Sequence, residues 1–361
     1  MTQIDPDRLR AVQFTVFSKL DGAVTAGMIH LGDRLGLYRA LASSDQPLTS
    51  TELAARSDLD ERWVREWAYN QAAAKIVTVD AEDAGGERFS LAPESAAVLA
   101  DPTHEAFGMG WFHDLPQALA ALENLPESFR TGLGHNFDSR GREVAVGMER
   151  SFEPWNREHL VPTVIPALDG VATRLAAGGR VVDVGCGAGG AVLLLAEAFP
   201  ACQVAGYDIS EHALSRAAER LAESGLANAT FHDARVTPLP DDHSVDLVTT
   251  FDCIHDMTDP QGMMAAIRAA LRDDGTWLLV DIKALDTFAE NAARNPMASL
   301  MYGISVISCM SSGLSEPGGA GLGTLGLPAS RAEAMARSAG FTRFRQLPVE
   351  HAVNGFYEIR P

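Results

Sequence analysis

A valine-rich stretch closing on a carboxylate and a glycine cluster, three later strands ending in acids, and a helical first third place this chain in the α/β class. A mostly helical domain is expected ahead of a largely parallel sheet. Residues 180–190, RVVDVGCGAGG, read as strand, turn and helix start. Val181, Val182 and Val184 suit a buried parallel strand, and Gly185, Gly187, Gly189 and Gly190 let the chain reverse where a side chain would block a ligand. Residues 191–199, AVLLLAEAF, continue as an apolar helix whose first N–H groups face whatever sits over the glycines.

Gly185, Gly187 and Gly190 also satisfy the spacing of a dinucleotide-binding turn. Asp183, two residues before the first glycine, weighs against a pyrophosphate, which it would repel, and favours a ligand carrying an ammonium or sulfonium cation. S-adenosylmethionine carries both. A second strand, QVAGYD, ends in Asp208 about 20 residues beyond the glycines, the distance at which a carboxylate holds a ribose diol in nucleotide-binding βαβ units. ATFHD ends in Asp233 and VDLVTTFD in Asp252, so four successive strands finish on acids.

In its order DVGCGAGG, YD, HDA, FD, the chain resembles the class I S-adenosylmethionine-dependent methyltransferases over residues 180–282. The resemblance implies a Rossmann-like, seven-stranded domain with its last strand antiparallel. It implies that Asp183, Gly185, Gly187 and Gly189 line the methionine part, and that Asp208 with the adjoining Ile209 meets the ribose. Asp233 and the Ala234 backbone would read the adenine, and Phe251 beside Asp252 would close the pocket near the sulfonium. Two further strands, Thr342 to Gln346 and Gly355 to Ile359, bring the count to seven with TWLLVDI at 276–282.

The remaining composition narrows the class. A length of 361 residues allows two domains, and 46% hydrophobic with 21% charged residues is ordinary for a globular protein. No apolar run reaches a membrane span, and MTQIDPDRLR lacks the marks of a signal or transit peptide, so a cytoplasmic location is expected. Cys186, Cys202, Cys253 and Cys309 form no C-x-x-C pair, which fits a reducing compartment and argues against a metal. The net charge of −19 disfavours nucleic acid and anionic membranes as partners.

Residues 8–41 have helical periodicity, interrupted at Gly32 and Gly36. A cap at Thr49 or Ser50, a turn at 58–60, a second helix through Lys75, then IVTVD, a Gly85-Gly86 turn and RFSLAP give a helix, turn, helix, hairpin order, a winged-helix pattern. On its own that pattern suggests DNA binding. On the second helix, however, Asp60, Glu61 and Glu66 balance Arg62, Arg65 and Lys75, so a structural, homodimerising module is the favoured reading. Small-molecule O-methyltransferases of plants and actinobacteria carry a similar module at this end. The expected domains are 1–105, a helical linker at 106–170 broken by Pro116, Pro126 and Pro154, and 171–361 with an insertion at 283–327.

Trp111, Phe112, His113, Phe152 and Trp155 of the linker, with Met301 and Tyr302 of the insertion, are candidates for an acceptor pocket, although ordinary core packing accounts for such residues equally well. The insertion at 283–327, which contains the glycine-rich GGAGLGTLG, has the length of a lid. DCIHDMTD, at 252–259, resembles the HDWSD-like segment of plant-type O-methyltransferases, where the histidine is the general base. The resemblance gives that role to His255, with Met257 where the family commonly has tryptophan. Methyl transfer to oxygen needs somewhere for the hydroxyl proton to go, and an imidazole can take it near neutral pH. The expected activity is methylation of a small, aromatic or polyketide-like hydroxyl compound. Transfer to nitrogen or carbon, a cofactor-retaining rearrangement, and a winged-helix regulator remain as alternatives.

Overall fold

The computed structural model describes residues 4–83 and 86–361. By backbone contacts the chain divides into Met1–Pro116 and Gln117–Pro361.

The first unit opens with helix Pro6–Arg34, capped by the Asp5 carboxylate, and continues with helices Leu37–Ala42, Ser50–Ser57 and Glu61–Ala73. Thr49 rather than Ser50 caps the third helix, in a capping box with Glu52. Strands β1 (Thr78–Asp83) and β2 (Gly86–Ser90) form an antiparallel wing, and Leu48 adds a bridge to Phe89. Of the expected Gly85-Gly86 turn, Gly85 lies outside the described residues.

Two expectations need correction here. Gly32 does not interrupt the first helix: a Cβ there would come within 2.6 Å of the Trp67 and Tyr38 rings, so glycine serves close helix packing. Gly36, at φ +74°, is the residue that separates the two helices. The fourth helix stops at Ala73 rather than Lys75, which itself takes a φ of +61°. The core of this unit gathers Leu37, Tyr38, Leu53, Trp67 and Phe89.

The second unit is built on a seven-stranded sheet. Its strands are β3 (Arg180–Val184), β4 (Gln203–Asp208), β5 (Ala229–Asp233), β6 (Val245–Phe251), β7 (Leu271–Ile282), β8 (Arg343–Gln346) and β9 (Asn354–Arg360). They lie in the order β5-β4-β3-β6-β7-β9-β8, and only β9 runs against the rest, as the resemblance implies. Apolar clusters cover both faces, so β6 is buried at every position from Val245 to Thr250 and β7 from Gly275 to Ile282 instead of alternating. Each fully buried side chain such as Leu247, Leu278 or Trp277 contributes about 1.5–3 kcal/mol by leaving water.

The chain steps outward from β3 to β4 and β5, then returns to place β6 on the other side of β3. That reversal opens a crevice beyond the carboxyl ends of β3 and β6, where ligands bind in sheets of this kind. Pro154 does not break its helix, contrary to expectation; it is buried within Arg142–His159. Further on, the backbone widens into a π-turn over Leu160–Val164 that contains Pro162. Pro116 and Pro126 sit in the first turns of short helices, where a missing N–H costs nothing.

Candidate active site

The glycine turn follows β3 directly. Gly185, Gly187 and Gly189 all have positive φ, and helix Gly190–Ala198 starts from Gly189. A side chain at Gly185 would strike Cys253 and one at Gly189 would strike the Phe231 ring, whereas a Cβ on Gly187 would meet nothing within 4 Å. Gly187 therefore borders open space while its two neighbours are fixed by packing.

Asp208 ties this turn to β4. Its two oxygens accept from the Gly187 and Ser210 N–H groups, each at 2.8 Å. Burial raises its pKa, and backbone bonds from Ser210, Gly187 and Ile209 oppose the rise. Each carboxylate oxygen still has acceptor capacity for a hydroxyl. Ile209 next to it stays exposed.

Other strand-end residues stand differently from expectation. Asp183 is 2% exposed, in register with Thr249 of β6, and accepts that hydroxyl at 2.6 Å. Burial pushes its pKa up to about 7, against the Thr249 bond. It is a support within the sheet, not a free carboxylate in the crevice. The Ala234 N–H donates to the Asp208 carbonyl at 2.9 Å, which extends the β4–β5 pairing by one residue and leaves that N–H spent. Asp233 is chelated by Arg235, whose guanidinium and backbone bonds lower its pKa. Phe251 is half-buried at the end of β6. Asp252, at φ +48°, accepts from the Asn354 amide; burial and the charge of Asp281 bring its pKa to about 7, with His255 opposing.

His255 occupies the single turn Ile254–Asp256 that follows β6. Its Nδ1 lies 2.6 Å from Asp281 Oδ1 on β7, and both side chains are 2% exposed. The Ile282 N–H also donates to Asp281 Oδ1, whereas Oδ2 is buried without a partner among the described residues. Burial works against the imidazolium, but Asp281 and then Cys309 outweigh it, so the His255 pKa rises well above the ordinary value. Asp256 is pushed up to about 7 by burial, with His255 opposing. Asp281 lies inside the TWLLVDI strand, and nothing in the sequence linked it to His255.

The insertion is anchored to this turn. It holds helices Phe288–Arg294, Ala298–Ile307 and Cys309–Gly313, and its glycine-rich segment donates from Gly323 to the His255 carbonyl at 3.2 Å and from Ala320 to the Thr258 carbonyl at 2.9 Å. A further strap, residues 134–140, ties the insertion to the start of the helix that follows β4. His135 N–H and Arg140 bond Ser311 and Ser308 at 2.9 and 2.6 Å, while Asp138 accepts from the Ser210 hydroxyl and the Glu211 N–H.

The acceptor candidates are divided between the two units. Trp111, Phe112 and His113 share one short helix of the first unit, where the Phe112 carbonyl meets His30 Nδ1 at 2.8 Å. In the second unit Phe152 is half-buried, and Trp155 is built into a cluster with His159, His351 and Phe356. Met301 is buried with Ile282, Ala298 and Leu325, and Tyr302 packs on Phe288 near the surface. Trp155 and Met301 thus serve packing.

Residues 175–312 match a family model described as a methyltransferase domain, and residues 23–101 match one described as an Rv2258c-like winged helix-turn-helix domain. The chain therefore carries a stretch that matches a winged helix-turn-helix domain, followed by one that matches a methyltransferase domain. It is 32% identical over 126 residues to the methyltransferase YcgJ of Bacillus subtilis, covering 32% of this chain and 49% of that protein. Across the curated relatives it matches, the chain spans 5% to 49% of their length. Among solved structures, the mitomycin 7-O-methyltransferase MmcR is similar at a TM-score of 0.68 and 21% identity, with 99% of each chain covered. Human N-acetylserotonin methyltransferase, solved in complex with S-adenosylmethionine, is similar at 0.66 and 17%, covering 100% of this chain and 99% of that one.

Proposed function

We propose that this chain transfers a methyl group from S-adenosylmethionine to a hydroxyl of a small, aromatic or polyketide-like acceptor, with His255 as the general base. The observation that carries this reading is the buried His255–Asp281 pair beside the crevice that Gly187 and Asp208 border. The residues fit the cofactor: a left-handed Gly187 leaves open room, and Asp208 keeps acceptor capacity for a ribose diol. Gly185, Gly187, Gly189 and Asp208 would hold it, and when bound it supplies an electrophilic methyl on a sulfonium.

The protein's own part in the reaction is proton handling. Asp281 at Nδ1 fixes the tautomer so that Nε2 offers its lone pair, and the carboxylate stabilises the imidazolium formed when the hydroxyl proton arrives. The glycine-rich segment and the helix at Cys309 keep bulk water from the ring, which strengthens that pairing.

The first helix supports a homodimer. Phe14, Phe17 and Leu20 are 77%, 64% and 59% exposed on a 29-residue helix, more apolar surface than a solitary helix leaves in water. Arg62 and Arg65 pair with Glu66 and Glu61, which leaves the second wing helix no basic face for DNA. The four free cysteines support a cytoplasmic setting. Among the described residues no helix is long and apolar enough to cross a membrane.

The test is mass spectrometry of candidate phenols incubated with the protein and S-adenosylmethionine, repeated with His255→Ala. A gain of one methyl on oxygen, reduced roughly 10²–10⁴-fold in the variant while cofactor affinity is kept, is expected. Equal turnover in the variant would end the base assignment.

A further inference from the structure

Arg220 lies on helix Glu211–Ser224, which follows β4, and its side chain is 12% exposed. Its guanidinium serves two partners. Nη1 donates to the Ala188 carbonyl inside the glycine turn at 3.1 Å, and Nη2 donates to Glu153 Oε2 at 2.6 Å on helix Arg142–His159. The other Glu153 oxygen accepts from Arg157 of its own helix at 2.7 Å. A second pair stands beside the first: Glu149 accepts from Arg216 through both oxygens, at 2.8 and 3.0 Å. Residues at i and i+4 share one face of a helix, so positions 216 and 220 meet positions 149 and 153 along a single seam. Arg216 spends its remaining nitrogen on Glu219 at 3.3 Å and joins helix to helix. Arg220 reaches past the seam to the turn.

The bond to Ala188 falls where the backbone has most freedom to lose. Gly185, Gly187 and Gly189 all take positive φ, and ordering costs glycine more conformational entropy than any other residue. The N–H groups of Gly185 and Cys186 donate to the Tyr207 carbonyl at 2.8 and 3.1 Å, and that of Gly187 donates to Asp208 at 2.8 Å. The peptide plane from Ala188 to Gly189 is held at both ends: the Gly189 N–H donates to the Cys186 carbonyl at 2.9 Å, and the Ala188 carbonyl accepts from Arg220. Gly187, which borders open space, and Ala188 are thus bracketed by two fixed peptide planes. A ligand that docks on a turn already ordered does not bear the cost of ordering it.

We propose that Arg220 is a positioning residue for S-adenosylmethionine, holding the glycine turn in its receptive conformation and tying that conformation to helix Arg142–His159. Arginine suits both contacts at once because its planar fork offers separate N–H groups to a carbonyl and to a carboxylate. A lysine ammonium is a single point on a flexible stem and keeps one contact at a time. The role rests on the reading that Gly187 and Asp208 hold the cofactor.

The test compares Arg220→Gln, Arg220→Lys and Glu149→Gln in the full-length protein. Affinity for S-adenosylmethionine is read by calorimetry, stability by melting, and order of the turn by hydrogen exchange of residues 185–190 in ligand-free protein. Arg220→Gln should weaken affinity roughly tenfold and speed exchange at the turn by a similar factor, because binding must then supply the order. In turnover it should raise the KM for S-adenosylmethionine to the same extent, with kcat at saturating cofactor falling less than about threefold. Arg220→Lys should lie between that variant and wild type. Glu149→Gln loosens the helix seam without touching Ala188, so it should lower Tm while affinity and turn exchange stay within about twofold of wild type. An Arg220→Gln that loses Tm as Glu149→Gln does, with affinity and exchange unchanged, would make Arg220 a helix-packing residue and overturn the proposal. Should Arg220→Gln fail to fold, Arg220→Lys decides, and affinity and exchange equal to wild type there overturn it too. Wild-type protein that binds no S-adenosylmethionine would remove the cofactor reading and this role together, whereas unchanged Arg220 variants of a protein that does bind sink only the role of Arg220.

Discussion

His255 and Asp281 meet across the ends of paired strands, Nδ1 to Oδ1 at 2.6 Å, with both side chains almost wholly out of solvent. Neither the separation of 26 residues nor the local sequence dictates that contact. The parallel pairing of β6 with β7, in register from Leu247 with Thr276 to Phe251 with Val280, brings the two together.

The pair sets the pH dependence of turnover. The imidazole accepts a proton only when neutral, and Asp281 holds its pKa above the ordinary value, so the rate should climb with pH to a plateau reached above that of a free histidine. Asp281→Asn removes the charge that favours the imidazolium. Its acid limb should move to lower pH while the plateau drops, by roughly 10-fold or more, as orientation is lost. A limb that moves upward in the variant would contradict the pairing.

Gly187→Ala separates a ligand contact from packing. The left-handed φ of +54° costs an alanine about 1–2 kcal/mol, but its methyl meets no protein atom within 4 Å. The variant should fold with a modest loss of Tm and bind S-adenosylmethionine at least tenfold more weakly in calorimetry. Affinity equal to wild type would place the cofactor away from this turn.

Asp208→Asn tests the ribose contact at nearly constant shape. An amide oxygen can keep one of the two backbone bonds, from Gly187 or Ser210, but the amide nitrogen cannot accept from a hydroxyl. A loss of about 1.5–3 kcal/mol in binding is expected, read by calorimetry with circular dichroism as the control for folding.

Asp183→Asn carries a linkage sign. The folded pKa, about 7, lies above the unfolded value, so the group's contribution is fully present below pH ~4 and is lost as pH rises through 7. The asparagine keeps an acceptor for Thr249 without the buried charge. The variant should therefore gain in unfolding free energy against wild type between pH 5 and 8, by up to ~4 kcal/mol at the upper end. A gain that shrinks with rising pH would refute the burial argument.

For the homodimer, Phe14→Glu with Phe17→Glu should convert a sedimenting dimer to monomer at micromolar concentration with the melting of the methyltransferase domain little changed. Wild-type protein that is itself monomeric would remove the basis of this prediction.

The sequence by itself determined what depends on short-range pattern. Valine runs ending in Asp183, Asp208, Asp233 and Asp252 marked the strands, and the glycines at 185, 187 and 189 marked the turn, because backbone conformation and burial period are local properties. A cap at Thr49 or Ser50 and the histidine after β6 were legible for the same reason. Only the tertiary structure decided which carboxylate does what. Asp183 is drawn into a bond with Thr249, the Ala234 N–H is spent on the Asp208 carbonyl, and Asp281 reaches His255, all through strand register across the sheet. Gly32 likewise follows from the approach of Trp67 and Tyr38, and the helix Cys309–Gly313 packs on the His255 turn because the insertion folds back. Apart from the approach of Tyr38 to Gly32, these contacts join residues 26 to 66 apart, set by the packing of whole elements that no local window of sequence contains.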